Sequence, residues 1–296
     1  MENKEMNRIK YLTILLFGIS RFVMFAQTDK PAYTLYSGQG KVVNYQAMIS
    51  DLSVADVIFV GEYHNNPISH WLELEITRSL FETKKGKIIL GAEMFESDSQ
   101  LELTEYVTGL SSTTRFETDT RLWSNYKTDY KPLVEFAKAN KLPFVATNIP
   151  RRYADMVNKR GGEKILDSLS TDAKKRIAPL PIPFKSDSIM LKEMSGAGMM
   201  MKNTLALAKA QAVKDATMAW FIAQNSKKGK TFIHYNGSFH SDNYGGILYF
   251  LKIYSPKLNV KTITTVEQPD VNQLESNNVG RADYVICAPE TMTKTY

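Results

Sequence analysis

Four apolar, β-branched runs that each end in polar side chains constrain the fold of this chain more than any other feature. Val57 to Val60 leads into Gly61-Glu62-Tyr63-His64. Ile88 to Ala92 ends in Glu93-Met94-Phe95-Glu96, and Pro143 to Thr147 ends at Asn148. Thr231 to Tyr235 ends in Asn236-Gly237-Ser238-Phe239-His240. Short continuous apolar runs of this kind suit strands buried on both faces. Helix-type segments separate them. Asn66-Pro67 reads as an N-cap followed by a first-turn proline. His70, Trp71, Leu74, Ile76, Leu80 and Phe81 then recur at three- and four-residue steps until Lys84-Lys85-Gly86. Leu133 to Ala139, a helix opening at Pro150-Arg151-Arg152-Tyr153, and the Ala- and Lys-rich stretch 203–224 continue the alternation. Strands alternating with helices predict an α/β fold, a largely parallel sheet covered by helices on both faces. Ligands of such sheets bind at the carboxyl ends of the strands, where the four polar tips would meet.

The rest of the chain fits around that frame. Residues 27–50 suit an opening hairpin, Ala47 to Ser53 a short helix, and Lys261 to Val266 and Asp283 to Ala288 read as the last strands. Ser111 to Thr120 is polar and reads as an insertion over the site rather than as core. Residues 161–201 are the least strand-like, with Pro179, Pro181 and Pro183 followed by the Met-rich Met194 to Met201. This segment is expected to form a helical flap or subdomain at the carboxyl edge.

Residues 1–26 read as a secretory signal. Lys4, Arg8 and Lys10 precede the apolar Tyr11 to Ser20, and Met24-Phe25-Ala26 offers a cleavage point. The apolar run is too short to span a bilayer, which takes ~20 residues. Residues 27–296 then form one domain of an exported protein, periplasmic or at the cell surface. Cys287 is the single cysteine, so no cysteine near Ala26 can carry a lipoprotein anchor, and no Cys-x-x-Cys-His site for covalent haem exists. The net charge of +6 is dispersed and forms no basic stripe, which argues against nucleic acid as a partner.

Glu62, His64, Glu93 and His240 are the candidate catalytic residues and equally the candidate metal ligands. A charged carboxylate directly after a buried strand is costly unless paired. Two histidines with two carboxylates suit a divalent metal, an acid–base pair for hydrolysis, or a hydrogen-bonded network that ties loops to the sheet. His70 reads rather as a satisfied core or helix-surface residue, and His234 as packing. Lys214 and Asp215 read as a solvated pair, or place Asp215 toward the sheet edge. Arg151 and Arg152, near a helix N-terminus, suit an anionic partner such as a carboxylate, propionate or phosphate. Tyr63, Trp123, Tyr126, Tyr130, Tyr153 and Tyr235 gather near the same edge, where aromatics can wall a flat apolar cofactor and tyrosine or histidine can ligate haem iron.

Taken together, Val60-Gly61-Glu62-x-His64, the Glu93 to Glu96 tip, the Trp123/Tyr126 pair, Asn148, the Gln211 to Met218 helix and Asn236-Gly237-x-x-His240 resemble the ChaN-like haem-binding uptake proteins. That family belongs to a wider grouping with Tiki/TraB proteins and erythromycin-esterase-like enzymes. The resemblance spans roughly residues 50–255. It implies an exported haem-binding protein in haem and iron acquisition, with tyrosine ligation of the iron, a homodimer holding the haem, and outer-membrane haem-uptake machinery as a partner. Tyr63, Tyr126, Asn148, Arg152 and Asn236 are the candidate cofactor-binding residues. A metal-dependent hydrolase acting through the Glu/His edge is the alternative, and the sequence leaves open whether the chain is an enzyme.

Overall fold

The computed structural model describes residues 30–160, 162–184 and 204–296. The signal-peptide expectation, Gly161 and the Met-rich part of the flap lie outside the described residues. Seven strands form one sheet: β1 (Thr34–Ser37), β2 (Val57–Glu62), β3 (Ile88–Glu96), β4 (Phe144–Asn148), β5 (Thr231–Gly237), β6 (Val260–Gln268) and β7 (Tyr284–Pro289). Their order is β1-β7-β6-β2-β5-β3-β4. Every neighbouring pair is parallel except β1 with β7. The fold is the α/β class that the alternating pattern predicts.

Helices cover both faces. On one lie α1 (Tyr45–Leu52), α2 (Pro67–Thr83), α3 (Gln100–Val107), α4 (Thr113–Asp119) and α5 (Lys131–Ala139). Their apolar side chains, Leu52, Ile76, Leu103 and Leu133 among them, close on Ile58, Val60, Leu90 and Ile233 of the sheet. The other face carries α6 (Arg151–Lys159), the short α7 (Thr171–Lys174), α8 (Thr204–Asn225) and α9 (Ile247–Tyr254). Val57, Phe59, Ile89 and Phe232 there meet Val157, Val213, Ile222 and Phe250. Alternate residues of one strand thus feed two cores, as the two-residue period of a strand requires. Residues 162–184 lie on this second face. Leu166, Ile177 and Ile182 are buried in its core, and the Ala178 N–H donates to Thr217 Oγ1 of α8 at 3.2 Å.

The central strands carry the polar tips into register. Glu62 stands opposite Gly237 and Gly61 opposite Asn236 in the β2/β5 pair. Ala92 of β3 stands opposite Tyr235 on the other side of β5. β2 and β5 each run two residues past their apolar runs, because Gly61 and Asn236 continue the ladder. The pairing of β3 with β4 shifts between Ala92 and Glu96, and such an irregularity re-aims a side chain at a strand end. α2 begins as the sequence suggests: Asn66 Oδ1 accepts the N–H groups of Ile68 and Ser69, with Pro67 in the first turn.

One expectation is overturned. Ser111 to Thr120 is not a polar insertion, because α4 forms within it and buries Phe116. Ser112 caps this helix through the Arg115 N–H at 3.3 Å. The Phe116 ring stacks on Tyr106 at a centroid distance of 4.4 Å with 4° between planes. A single aromatic anchors a segment whose other residues, Thr120 apart, are half-buried or exposed, so composition hides it. Phe116→Ala should lower stability by about 3–5 kcal/mol, the range for a fully buried phenylalanine, measured by equilibrium urea unfolding. A loss within about 0.5 kcal/mol, the scale of surface substitutions, would return the segment to an insertion.

Candidate functional site

The carboxyl ends of β2, β3 and β5 hold the acidic and imidazole groups. Glu62 is the last residue of β2 and is buried. Its Oε1 accepts from His64 Nδ1 at 2.7 Å and from the Tyr130 hydroxyl. Tyr130 comes from a π-helical turn, Tyr126–Tyr130, a wider coil that is frequent at functional sites. His64 stands two residues past the end of β2, in the turn that leads to α2, and this turn brings its ring beside Glu62. The His64 side chain stays 40 % exposed and meets the Trp123 ring edge-on at 4.9 Å. Burial would lower the His64 pKa, but the Glu62 carboxylate overrides it and holds the imidazole above its ordinary value.

Glu93 ends the neighbouring run and is buried. Its Oε2 accepts the Gly237 N–H at 2.9 Å and its Oε1 lies 3.3 Å from His240 Nε2. His240 Nδ1 pairs with Asp215 Oδ1 of α8 at 2.5 Å. His240 therefore sits between two carboxylates. Burial opposes its charge, yet Glu93 and Asp215 together push it up to about 10. For Glu93 burial acts upward, and the His240 charge outweighs it and holds the carboxyl well below the usual range. His234, enclosed inside β5, is pushed down to about 4 by burial. It bonds Thr147 Oγ1 at 2.8 Å and Asn236 Oδ1 at 3.0 Å, a packing role.

Behind the Glu62–His64 pair lies a second set of groups. His70 Nδ1 is 3.0 Å from Glu73 Oε2 and 3.7 Å from Glu62 Oε2, and His70 Nε2 is 3.1 Å from the His64 carbonyl oxygen. Burial, with Glu73 adding its charge, pushes Glu62 up to about 7, and burial pushes Glu73 up to about 8. Asn125 Nδ2 donates to the His64 carbonyl and to Asp129 Oδ2, and Thr295 Oγ1 also donates to Asp129 Oδ2. Among the described residues, Glu62, His70 and Glu73 are the one group of three whose ligand atoms converge within 4.8 Å. His64, Glu93 and His240 are instead arranged as hydrogen-bonded pairs around Gly237.

A cavity of about 710 Å³ opens over these tips, within the ~300–1,000 Å³ range of small-molecule sites. Glu62, Tyr63, His64, Glu93 and His240 line it, with Lys214, Asp242 and Arg281. Arg281 bonds the buried Asp242, which also accepts from Thr264 Oγ1 at 2.5 Å. Burial pushes the Tyr63 phenol up, and Arg281 works against that shift.

The other sequence candidates fall elsewhere. Asn236 is buried beneath the tip, donating to the Gly237 carbonyl at 2.9 Å and to Ser241 Oγ at 3.0 Å. Asn148 donates to the Glu93 carbonyl at 3.0 Å. Tyr126 is buried against Phe116, and with Trp123 it borders a separate hollow of about 390 Å³. Arg152 binds Asp98 at 2.5 Å and lies over the Tyr153 ring, away from the large cavity. Glu73, Asp129 and Arg281 were not legible as site residues. The signal for Glu73 was its place three residues after His70 on the buried side of α2. Arg281 and Asp129 lie in a loop and a π-turn that no periodicity marks.

A mostly parallel α/β sheet with a Glu/His-lined cavity at its carboxyl edge defines the class. The sequence matches the profile of the haem-binding uptake proteins of the Tiki superfamily, ChaN, over residues 48–251, and the chain belongs to that family. Among proteins of curated function none matches the sequence. Among solved structures, one showing cofacial haem binding to ChaN of Campylobacter jejuni is similar over 86 % of this chain and 96 % of that one, at 16 % identity and a TM-score of 0.64. An erythromycin esterase variant in its open conformation is similar over 86 % of this chain and 83 % of that one, at 11 % identity and a TM-score of 0.47. At these identities the likeness is one of fold.

The raised pKa of His240 has a consequence for stability. Its folded value of about 10 lies above the ordinary 6.5, so the folded protein holds a proton that the unfolded chain releases between those pH values. The stabilisation is complete below the unfolded value and declines as pH rises toward the folded one. Glu62 and Glu73 act in the same sense between about 4.5 and 8. The urea midpoint should fall steadily from pH 7 to pH 10, and His240→Gln should flatten that decline. A midpoint independent of pH across that interval would show that His240 is not charged in the folded protein.

Proposed function

We propose that the chain is an exported haem-binding protein of haem and iron acquisition, with haem held in the large cavity. The observation that carries this reading is the composition of that cavity's wall. Tyr63, the only tyrosine among its described lining residues, stands beside the cationic Arg281 with Lys214 also on the wall. Burial outweighs Arg281 and keeps the free phenol raised, so the phenolate that ligates ferric haem would form on binding. Arg281 and Lys214 would meet haem propionates, and His64, 40 % exposed, offers a second aromatic donor. Export to the periplasm or cell surface, a homodimer enclosing the haem, and delivery from outer-membrane uptake machinery complete the proposal. Among the described residues no helix is long and apolar enough to cross a membrane.

Hemin added to the purified protein should give a shifted Soret band that saturates. Tyr63→Phe should alter that band and weaken binding at least about tenfold, equivalent to ~1.4 kcal/mol. Light scattering on a sizing column should show a hemin-loaded dimer. A hemin spectrum unchanged at saturating protein would sink the reading.

A second reading, hydrolysis, is favoured by a specific arrangement. Glu62–His64 and Asp215–His240 stand on either side of Gly237 at one cavity wall, the first imidazole accessible and the second held charged. His64, oriented by Glu62, is placed to take a proton from water, while Glu93 and Asp215 hold both His240 ring nitrogens and fix that imidazolium in the wall. Against a panel of activated esters, hydrolysis should be detectable and should fall ~10²–10⁴-fold in His64→Ala, the usual contribution of a general base. Turnover that survives His64→Ala would remove this reading.

A further inference from the structure

We propose that Glu62, His70 and Glu73 bind a divalent first-row transition-metal ion behind the cavity wall, at a site that shares only Glu62 with the haem cavity. His70 Nε2 lies 3.1 Å from the His64 carbonyl oxygen, which can only accept, so this nitrogen carries the hydrogen. The neutral imidazole then has its lone pair on Nδ1. That lone pair faces Glu73 Oε2 at 3.0 Å and Glu62 Oε2 at 3.7 Å. Three such groups converging in a buried space must have protons or a cation shared among them.

Protons are the simplest occupants, and a single one on Nδ1 is not enough. It would serve Glu73 Oε2, while Glu73 Oε1 and Glu62 Oε2 are both buried without a hydrogen-bond donor. Glu62 Oε1 is already occupied by His64 and Tyr130, so the carboxylate is oriented with its other oxygen toward His70. A divalent ion takes the imidazole nitrogen and both carboxylates at once. One nitrogen and two carboxylate donors are a ligand set for zinc, manganese or iron(II). The remaining imidazole N–H given to a backbone carbonyl is the outer arrangement that metal-bound histidines favour. The site lies on α2 and the end of β2, and it uses neither Glu93 nor His240.

The test uses the full chain, freed of metal with a chelator and without hemin. Calorimetry with Zn²⁺ should give one equivalent bound with release of protons, and Co²⁺ should develop a visible absorption from imidazole–carboxylate coordination. Glu73→Gln and His70→Gln should each weaken Zn²⁺ binding at least about tenfold, while Glu93→Gln retains it. Circular dichroism on each variant confirms that it is folded. Failure of the wild-type protein to bind Zn²⁺, Co²⁺ or Mn²⁺ overturns the proposal whatever the variants do. Binding lost in Glu93→Gln but kept in Glu73→Gln also overturns it. Because the measurement is made without hemin, its outcome is independent of the Soret titration.

Discussion

Two glutamates are held at the ends of parallel strands where water scarcely reaches, and the architecture of this edge follows from keeping them there. A buried carboxylate that lacks partners costs several kcal/mol. Glu93 is satisfied by the Gly237 N–H and the His240 imidazolium, and Asp215 on α8 secures that imidazolium from the other side. Glu62 is treated differently. It receives His64 and Tyr130 on one oxygen and faces His70 and Glu73 with the other. One carboxyl is therefore held charged, and the other is pushed toward neutrality at about 7. Two acids on strands flanking β5 have opposite electrostatic characters, which is the condition under which acid and base roles separate.

That asymmetry bears on ligand choice. The Glu93 half is electrically closed, a cation between two anions. The Glu62 half has acceptors in excess. Haem in the cavity would meet His64 and Tyr63 on its wall, whereas the excess acceptors lie deeper, under the His64 backbone. A single strand tip, Glu62 to His64, thus faces two environments, with the Tyr63 and His64 side chains toward the cavity and the second Glu62 oxygen and the His64 carbonyl toward the buried cluster.

The strand tips were legible because a charged residue at the end of an apolar run has few tolerable positions. Glu62, His64, Glu93 and His240 could be grouped from the rule that parallel strands end together. Glu73 could not, because a carboxylate on an amphipathic helix is normally a solvated residue. Only the docking of α2 against β2 and β5 puts it out of water. Asp129 and Thr295 meet across 166 residues of chain through a π-turn and the segment after β7, and no local pattern announces either. Arg152 and Tyr126 were singled out for chemistry they do have, charge and aromaticity. Asp98 draws the one away from the cavity, and Phe116 encloses the other. Phe116 itself shows how one aromatic residue can convert a polar stretch into part of the core.

Gly237 carries a consequence of a different kind. A Cβ there would stand 2.8 Å from His64 Cε1 and 2.9 Å from Nε2, closer than real side-chain carbons approach. The backbone of β5 is thus the floor on which the β2 imidazole rests, and the missing methyl sets the depth of that floor. The reach between His64 and Glu62 on one strand is gauged by an atom absent from the next. Any relative that carries a larger residue at this position must hold its imidazole farther out, with a different partner and a different proton affinity.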